Sequence, residues 1–311
     1  VLIDDSRSFD SAIYNARLYN CFLHRNERSI TVLKTLRFPA KAHAAASGTA
    51  ILVILSLLLC QAVTAESSGK NDMTGTFCQK DPEAGFENDG SNYCAPTSIA
   101  NGLLYLATAR GMKDLVDGTD HEAQVATIKK LADEMETDPD IGTNPSRIID
   151  GLESYLDGRG YSIASLEIAG WRIINDEHGK YLVSRKPEMK WMQKAVKDPD
   201  TLVIFNNGWY RESDDGYIRK GGHFVIAVGE GPGAGEFQVH NPALEPDEQK
   251  TETSVIMTPL GSDIVADAKA NGVEELSLGG FYKMEGPGIP HTREKAAFAA
   301  LDFVITFKLK K

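Results

Sequence analysis

Residues 221–240 read GGHFVIAVGEGPGAGEFQVH. After His223 the run Phe224–Val228 is apolar at every position, so neither face of the strand it predicts is left for water. A strand of that kind sits inside a sheet covered on both sides. The glycine-rich stretch 229–235 then predicts a turn, and Glu236–His240 the returning strand of an antiparallel hairpin. Further strands are predicted at Ser162–Ile168, Tyr181–Ser184 and Leu202–Phe205, with a closing strand at Leu301–Leu309. A short helix is expected over 188–197. Upstream the periodicity changes. Ile99, Leu103, Leu104 and Leu106 predict a helix over 94–110, with Pro96 tolerated in the first turn and Gly111 ending it. Val125, Ile128, Leu131 and Met135 predict a helix over 121–136. Ile148, Ile149, Leu152 and Leu156, opened by Pro145, predict a third over 145–157. Helices first and a mainly antiparallel sheet after them predict an α+β protein, with the N-terminal helices packed on the sheet. No internal repeat is visible.

The composition fits a globular chain: 311 residues, 42% hydrophobic and 25% charged. With 33 basic against 44 acidic side chains the net charge is −11, which repels a phosphate backbone and excludes nucleic acid as a partner. Four cysteines are too few for a disulfide scaffold, and none form a C-x-x-C pair.

Residues 34–65 have the order of a secretory signal: basic Lys34, Arg37 and Lys41, then the uncharged run AILVILSLLLCQAV from Ala50 to Val63, then small residues ending at Ala65. The run is shorter than the ~20 residues that span a bilayer, so cleavage after Ala65 and a secreted or periplasmic location are expected; an uncleaved run would anchor the chain. Cys60 behind Leu59 is a poor lipidation site. Residues 1–33 precede the signal without an initiating Met and are read as an extension of doubtful status. Removing 65 residues leaves 246, suited to one large domain over 77–311, joined by a small, polar, flexible linker over 66–76. Cys78 and Cys94 are the cysteines that stay.

Cys94 opens the 94–110 helix, where unpaired backbone N–H groups favour a thiolate. His223 begins the buried strand, with Gly221-Gly222 leaving its approach unshielded. Asn241 follows the returning strand and is placed to hold the second ring nitrogen. A thiol, a base and an acceptor in that order form the constellation of nucleophilic catalysis.

Three motifs, Cys94-Ala95-Pro96-Thr97-Ser98 before an apolar helix, Gly222-His223-Phe224-Val225-Ile226 on a strand, and Val239-His240-Asn241-Pro242, resemble those of papain-like cysteine peptidases, and most of all the bacteriocin-processing type. The resemblance covers about residues 77–245, and the 129-residue separation of Cys94 and His223 suits it better than it suits NlpC-type peptidases or transglutaminases. It implies a papain-like fold, a peptide or protein substrate and no cofactor or metal. It also implies an amide upstream of the nucleophile as oxyanion donor, which falls on Gln79 or, at closer spacing, Asn88. Ala95 stands where glycine is common, and Asn241 where this branch usually has Asp.

Other readings compete. Cys78 and Cys94, 16 residues apart, would gain about 3 kcal/mol from loop closure as a disulfide, which would remove the nucleophile. His240 is a rival base, although its neighbour Asn241 faces the other way on an extended chain. His121-Glu122 lacks the second His of a zinc site, and His178 and His291 have no ligand partners at the right spacing. The acidic stretches 133–140 and 212–215 do not match a calcium loop and read as solvated surface. Trp209 is the aromatic residue expected in the cleft. The function that follows is an exported cysteine hydrolase cleaving peptide bonds; the alternatives are a catalytically silent binding domain, or an acyl transferase or amidase on another substrate.

Overall fold

The computed structural model describes residues 69–172, 176–268, 273–289 and 296–311. The expected extension 1–33, the signal 34–65, the first residues of the linker and His291 lie outside them. The helices form where periodicity places them, as α1 (Cys94–Ala109), α2 (His121–Glu134) and α3 (Pro145–Asp157). Local chemistry sets their starts. Asp120 accepts the Ala123 N–H at α2, and Asn144 accepts the Ser146 N–H at α3, with Pro145 in the first turn. Shorter helices follow at α4 (Asp176–Gly179), α5 (Met189–Lys197) and α6 (Glu248–Thr251).

The strands are β1 (Ser162–Gly170), β2 (Leu182–Ser184), β3 (Leu202–Ser213), β4 (Gly216–Glu230), β5 (Glu236–His240), β6 (Ser254–Pro259), β7 (Val265–Ala268), β8 (Val273–Ser277), β9 (Tyr282–Glu285) and β10 (Phe298–Lys310). Six of them close on themselves in the order β10-β9-β6-β5-β4-β3 and back to β10, every pair antiparallel. The expected papain-like α+β fold, helices laid on a sheet, is therefore corrected: the chain forms a closed six-stranded antiparallel β-barrel with extra strands.

The closure comes from strands too long to keep one neighbour. On one edge of β10, Ala299 and Ala300 pair with β9, while Phe303–Lys310 pair with β1. A bulge between Leu301 and Phe303 separates the two halves. The same happens on β4, where Ile226–Glu230 pair with β5, but Tyr217 and Ile218 pair with β7. Bulges increase twist and bend the strand, so part of the sheet curls into a barrel while β1–β2 and β7–β8 continue outside it.

Alternation divides the core. Val203 and Phe205 of β3 and Val225 and Ala227 of β4 point inward and pack with Phe237, Val255, Met284 and Val304 of the other four strands. The intervening Leu202, Ile204, Phe224 and Ile226 point outward and pack under Ile99, Leu103, Ile128 and Leu152 of the three long helices. This explains why Phe224–Val228 is apolar throughout: one face fills the barrel and the other is covered by helices.

The linker expected over 66–76 is ordered structure from residue 69 onward. Residues 69–73 are helical. Lys70 is buried and donates to Val196 O and Thr201 O, and the Gly75 N–H donates to Asn101 O. Its small, polar composition serves close packing here rather than solvation.

Candidate active site

Cys94 is the first residue of α1 and is partly exposed. Tyr93, at the N-cap, contributes no side-chain cap, and the first turn carries no acidic residue. Backbone N–H groups of a first turn have no intrahelical acceptor, so negative charge is favoured there. Ala95 lies within the helix and has no positive φ, so the glycine usual at that place is not needed. Cys78 and Cys94 are separate thiols, not joined in a disulfide. Cys78 is buried, and that burial pushes its thiol up to about 11.

His223 is buried on β4, and its Nε2 lies 2.6 Å from Asn241 Oδ1. Asn241 is held from three directions. Its Nδ2 donates to Gly288 O at 3.0 Å, and its Oδ1 also accepts the Ala243 N–H at 2.9 Å. That network fixes which end of the amide faces the imidazole and assigns the Nε2 proton as the donated one. In the neutral ring the lone pair is then on Nδ1. Trp209 lies against the same ring, with centroids 5.9 Å apart and planes inclined by 28°. The indole expected in the cleft is buried in the barrel core.

Contacts between α1 and β4 fix how the helix lies along the strand. A Cβ on Gly102 would approach Ile226 Cδ1 to 2.7 Å, and Ser98 Oγ donates to Phe224 O at 3.0 Å. Four helical residues advance about 6 Å and two strand residues about 6.6 Å, so helix and strand stay in step. One further turn back extends that step to the level of Gly222, on the face that Phe224 and Ile226 share, whereas His223 has the parity of Val225 and Ala227. At the same level the β4 edge has no ladder partner between Ile218, paired with Asp267, and Ile226, paired with His240, among the described residues. His223 lies in this unpaired stretch, yet it is buried, with Asn241 and Trp209 against its ring.

The two candidate oxyanion amides are placed differently from the expectation. Gln79 Nε2 donates to Gly90 O at 2.9 Å and Ser91 O at 3.1 Å, pinning the loop before Cys94, so both its donors are engaged. Asn88 Nδ2 faces Pro139 O at 3.0 Å on the exposed side. His240, the rival base, turns the other way. Its Nδ1 meets Gly75 O and its Nε2 meets Asn71 Oδ1, each at 3.0 Å, and burial holds it below the ordinary histidine range. It fastens the 69–76 segment to the barrel.

Two features escaped the sequence. Asn207 lies directly across from His223 in the β3–β4 ladder, fully buried, with neither side-chain polar atom hydrogen-bonded. Beside it is a buried ion pair: Asp302 accepts from Arg219 Nε at 2.6 Å, Tyr210 OH at 2.6 Å and Trp171 Nε1 at 3.2 Å. The mutually opposed Gly208 and Gly222 make room for it, since a Cβ on Gly208 would sit 2.5 Å from Asp302 Oδ2. Gly221-Gly222 was the only trace of this in the sequence.

A cavity of about 500 Å³ between residues 73–83, His121 and the 245–250 segment includes Cys78 but not Cys94, His223 or Asn241. Among the described residues no group of three or more His, Cys, Asp or Glu converges as a metal site, and no helix is long and apolar enough to cross a membrane. No protein-family model and no curated protein matches the chain.

Proposed function

We propose that the chain is an exported cysteine hydrolase that cleaves peptide bonds, with Cys94 as nucleophile, His223 as base and then acid, and Asn241 orienting the imidazole. The observation that carries this reading is the buried 2.6 Å contact of His223 with Asn241. The basic, apolar and small-residue order of residues 34–65 supports export. The three motifs that resemble papain-like peptidases support the chemistry, carried here on a closed barrel.

In this reading Cys94 Sγ gives its proton to His223 and attacks the carbonyl carbon of the peptide. The C–N bond breaks as the imidazolium returns the proton to the leaving amine, and a thioester remains. Water, deprotonated by His223, then displaces the thiol and releases the acid. With the Gln79 donors turned to Gly90 and Ser91, the oxyanion is assigned to the backbone N–H groups of the first turn of α1. Cys94→Ala should abolish hydrolysis of a mixed peptide library by purified protein. An unchanged rate in that variant overturns the assignment.

The engaged amide of Gln79 favours a second reading, a binding domain that retains the constellation without turnover. Binding of peptides by wild-type protein, with no acyl-enzyme trapped by an activated ester, would select it.

A further inference from the structure

The cavity of about 500 Å³ that excludes Cys94, His223 and Asn241 is within the size range of small-molecule sites. Its floor is apolar. Phe77 and Leu104 are half-buried there and Cys78 is buried. Met73, also on the lining, is 44% exposed, one of four large hydrophobic side chains left to solvent among the described residues. The backbone behind the floor is fixed from its far side. The Phe77 N–H donates to Asn101 Oδ1 of α1 at 2.8 Å, and Nε2 of the fully buried Gln249 of α6 donates to Thr76 O at 3.0 Å and Phe77 O at 3.1 Å. The cavity is therefore held in shape before anything enters it, which spares a ligand the cost of ordering its walls.

The border of the cavity is acidic. Asp81, Glu83 and Glu245 stand there against Lys250 and His121, whose Nε2 lies 2.6 Å from Asp81 Oδ2. Even with that imidazole protonated, the carboxylates outnumber the cations. Glu245 is exposed, so its charge is available to a ligand without a change in the fold. The Cys78 thiol reports the sign of the field on the floor. Besides burial, Glu245 and Asp81, from distant parts of the chain, both push it up, and the charge opposing them is that of Lys80, outside the lining. An apolar stem would cover Met73, Phe77 and Leu104, and a positive head would meet Asp81 and Glu245. A neutral ligand would serve only the floor, and an anion would be repelled by the border. We infer that this cavity is a binding site for an organic cation, an amine or guanidinium on an apolar stem, carried by a small molecule or by a lysine or arginine side chain of a peptide. The site is separate from the proposed catalytic residues and does not depend on their activity.

Isothermal titration of the purified full chain at low salt tests this with two pairs of probes: phenethylamine against phenethyl alcohol, and N-acetyl-lysine methylamide against N-acetyl-norleucine methylamide. In at least one pair the cation should bind about 10-fold or more tightly than its neutral partner, the gain of a charge-assisted over a neutral hydrogen bond. A preference confined to the first pair assigns a small amine, one confined to the second assigns a side chain, and one shared by both assigns the head and stem alone. Glu245→Gln should bring the ratio towards one while leaving the neutral partner's affinity unchanged. Met73→Lys, which sets a competing ammonium on the lining, should do the same to the cation. Both substitutions fall at exposed positions, so folded protein is expected from each. Equal affinity within both pairs, a preference that survives either variant, or no saturable binding of either cation overturns the site.

Discussion

Asn241 joins His223 to Gly288: its oxygen receives the imidazole Nε2 proton across 2.6 Å, and its nitrogen donates to the Gly288 carbonyl across 3.0 Å. The residue is fully buried, so both ends must be satisfied within the protein. An aspartate could serve the imidazole but could not donate to Gly288. Its second oxygen would face a carbonyl oxygen with no proton between them. The asparagine is therefore a requirement of the Gly288 side of the site, not a weakened aspartate.

Asn241→Asp should destabilise the fold by about 1–3 kcal/mol, the cost of a buried acceptor left without a donor. Asn241→Ala should release the imidazole and lower kcat on the order of 100-fold or more, since an unoriented base loses most of its contribution. Denaturant unfolding and steady-state kinetics on the two variants read these effects separately. An Asn241→Asp protein as stable as wild type would show that Gly288 does not dictate the residue.

The two cysteines should differ in reactivity. Cys78 is only 4% exposed and burial holds its thiol at about 11, whereas Cys94 is partly exposed at a helix start. Only thiolate is alkylated. At pH 7.5 iodoacetamide should modify one described site per chain, and peptide mapping should place it at Cys94. Equal labelling of Cys78, or labelling that spares Cys94, would remove the basis for choosing the nucleophile.

How much of this the residues announce depends on the range of the interaction. The helices were legible because their signals are local: Pro145 behind Asn144, Asp120 before Ala123, and apolar residues at helical spacing. The apolar half of each long strand was legible too. The polar halves, Asn206–Ser213 of β3 and Gly216–Gly222 of β4, carry no alternation because they house the Asp302 ion pair. Barrel closure depends on Ala299 meeting Met284 and on a change of partner at a bulge, which no neighbouring residue marks. Cys94, His223 and Asn241 could be named from short motifs. The partners of Gln79 and the pairing of Arg219 with Asp302, 83 residues apart, exist only once the chain is folded.

The step-by-step match of α1 and β4 makes Gly102 a sensitive point distant from the chemistry. An added methyl would come within 2.7 Å of Ile226 Cδ1 and 2.9 Å of Leu202 Cδ1, both in a packed, fully buried layer. Gly102→Ala should therefore cost about 1–3 kcal/mol by overpacking. It should also reduce kcat more than KM, because lifting the helix displaces Cys94 at its start. A variant with lowered stability but unchanged kcat would separate helix packing from nucleophile placement.

Lys70 gives the fold a pH dependence of defined sign. Its ammonium is buried against Val196 O and Thr201 O, and desolvation lowers it from 10.5 to about 8, with Asp198 opposing the shift. Below pH 8 the amine is protonated both folded and unfolded, and the penalty is present in full, about 3 kcal/mol from the size of the shift. Between about 8 and 10.5 the unfolded chain holds the proton and the folded chain has lost it. Unfolding then takes up protons, so the Lys70 contribution becomes more favourable as pH rises through that window. Cys78 works in the opposite direction, because a thiol raised to about 11 from 9.0 keeps its proton longer in the folded state. The comparison must therefore be made against Lys70→Met, which retains Cys78. The stability of wild type minus that of Lys70→Met, from urea unfolding at pH 7, 8.5 and 10, should grow with pH by about 2–3 kcal/mol. A difference that stays flat or shrinks would mean that Lys70 keeps an ordinary ammonium in the folded protein and that the 69–76 segment opens around it.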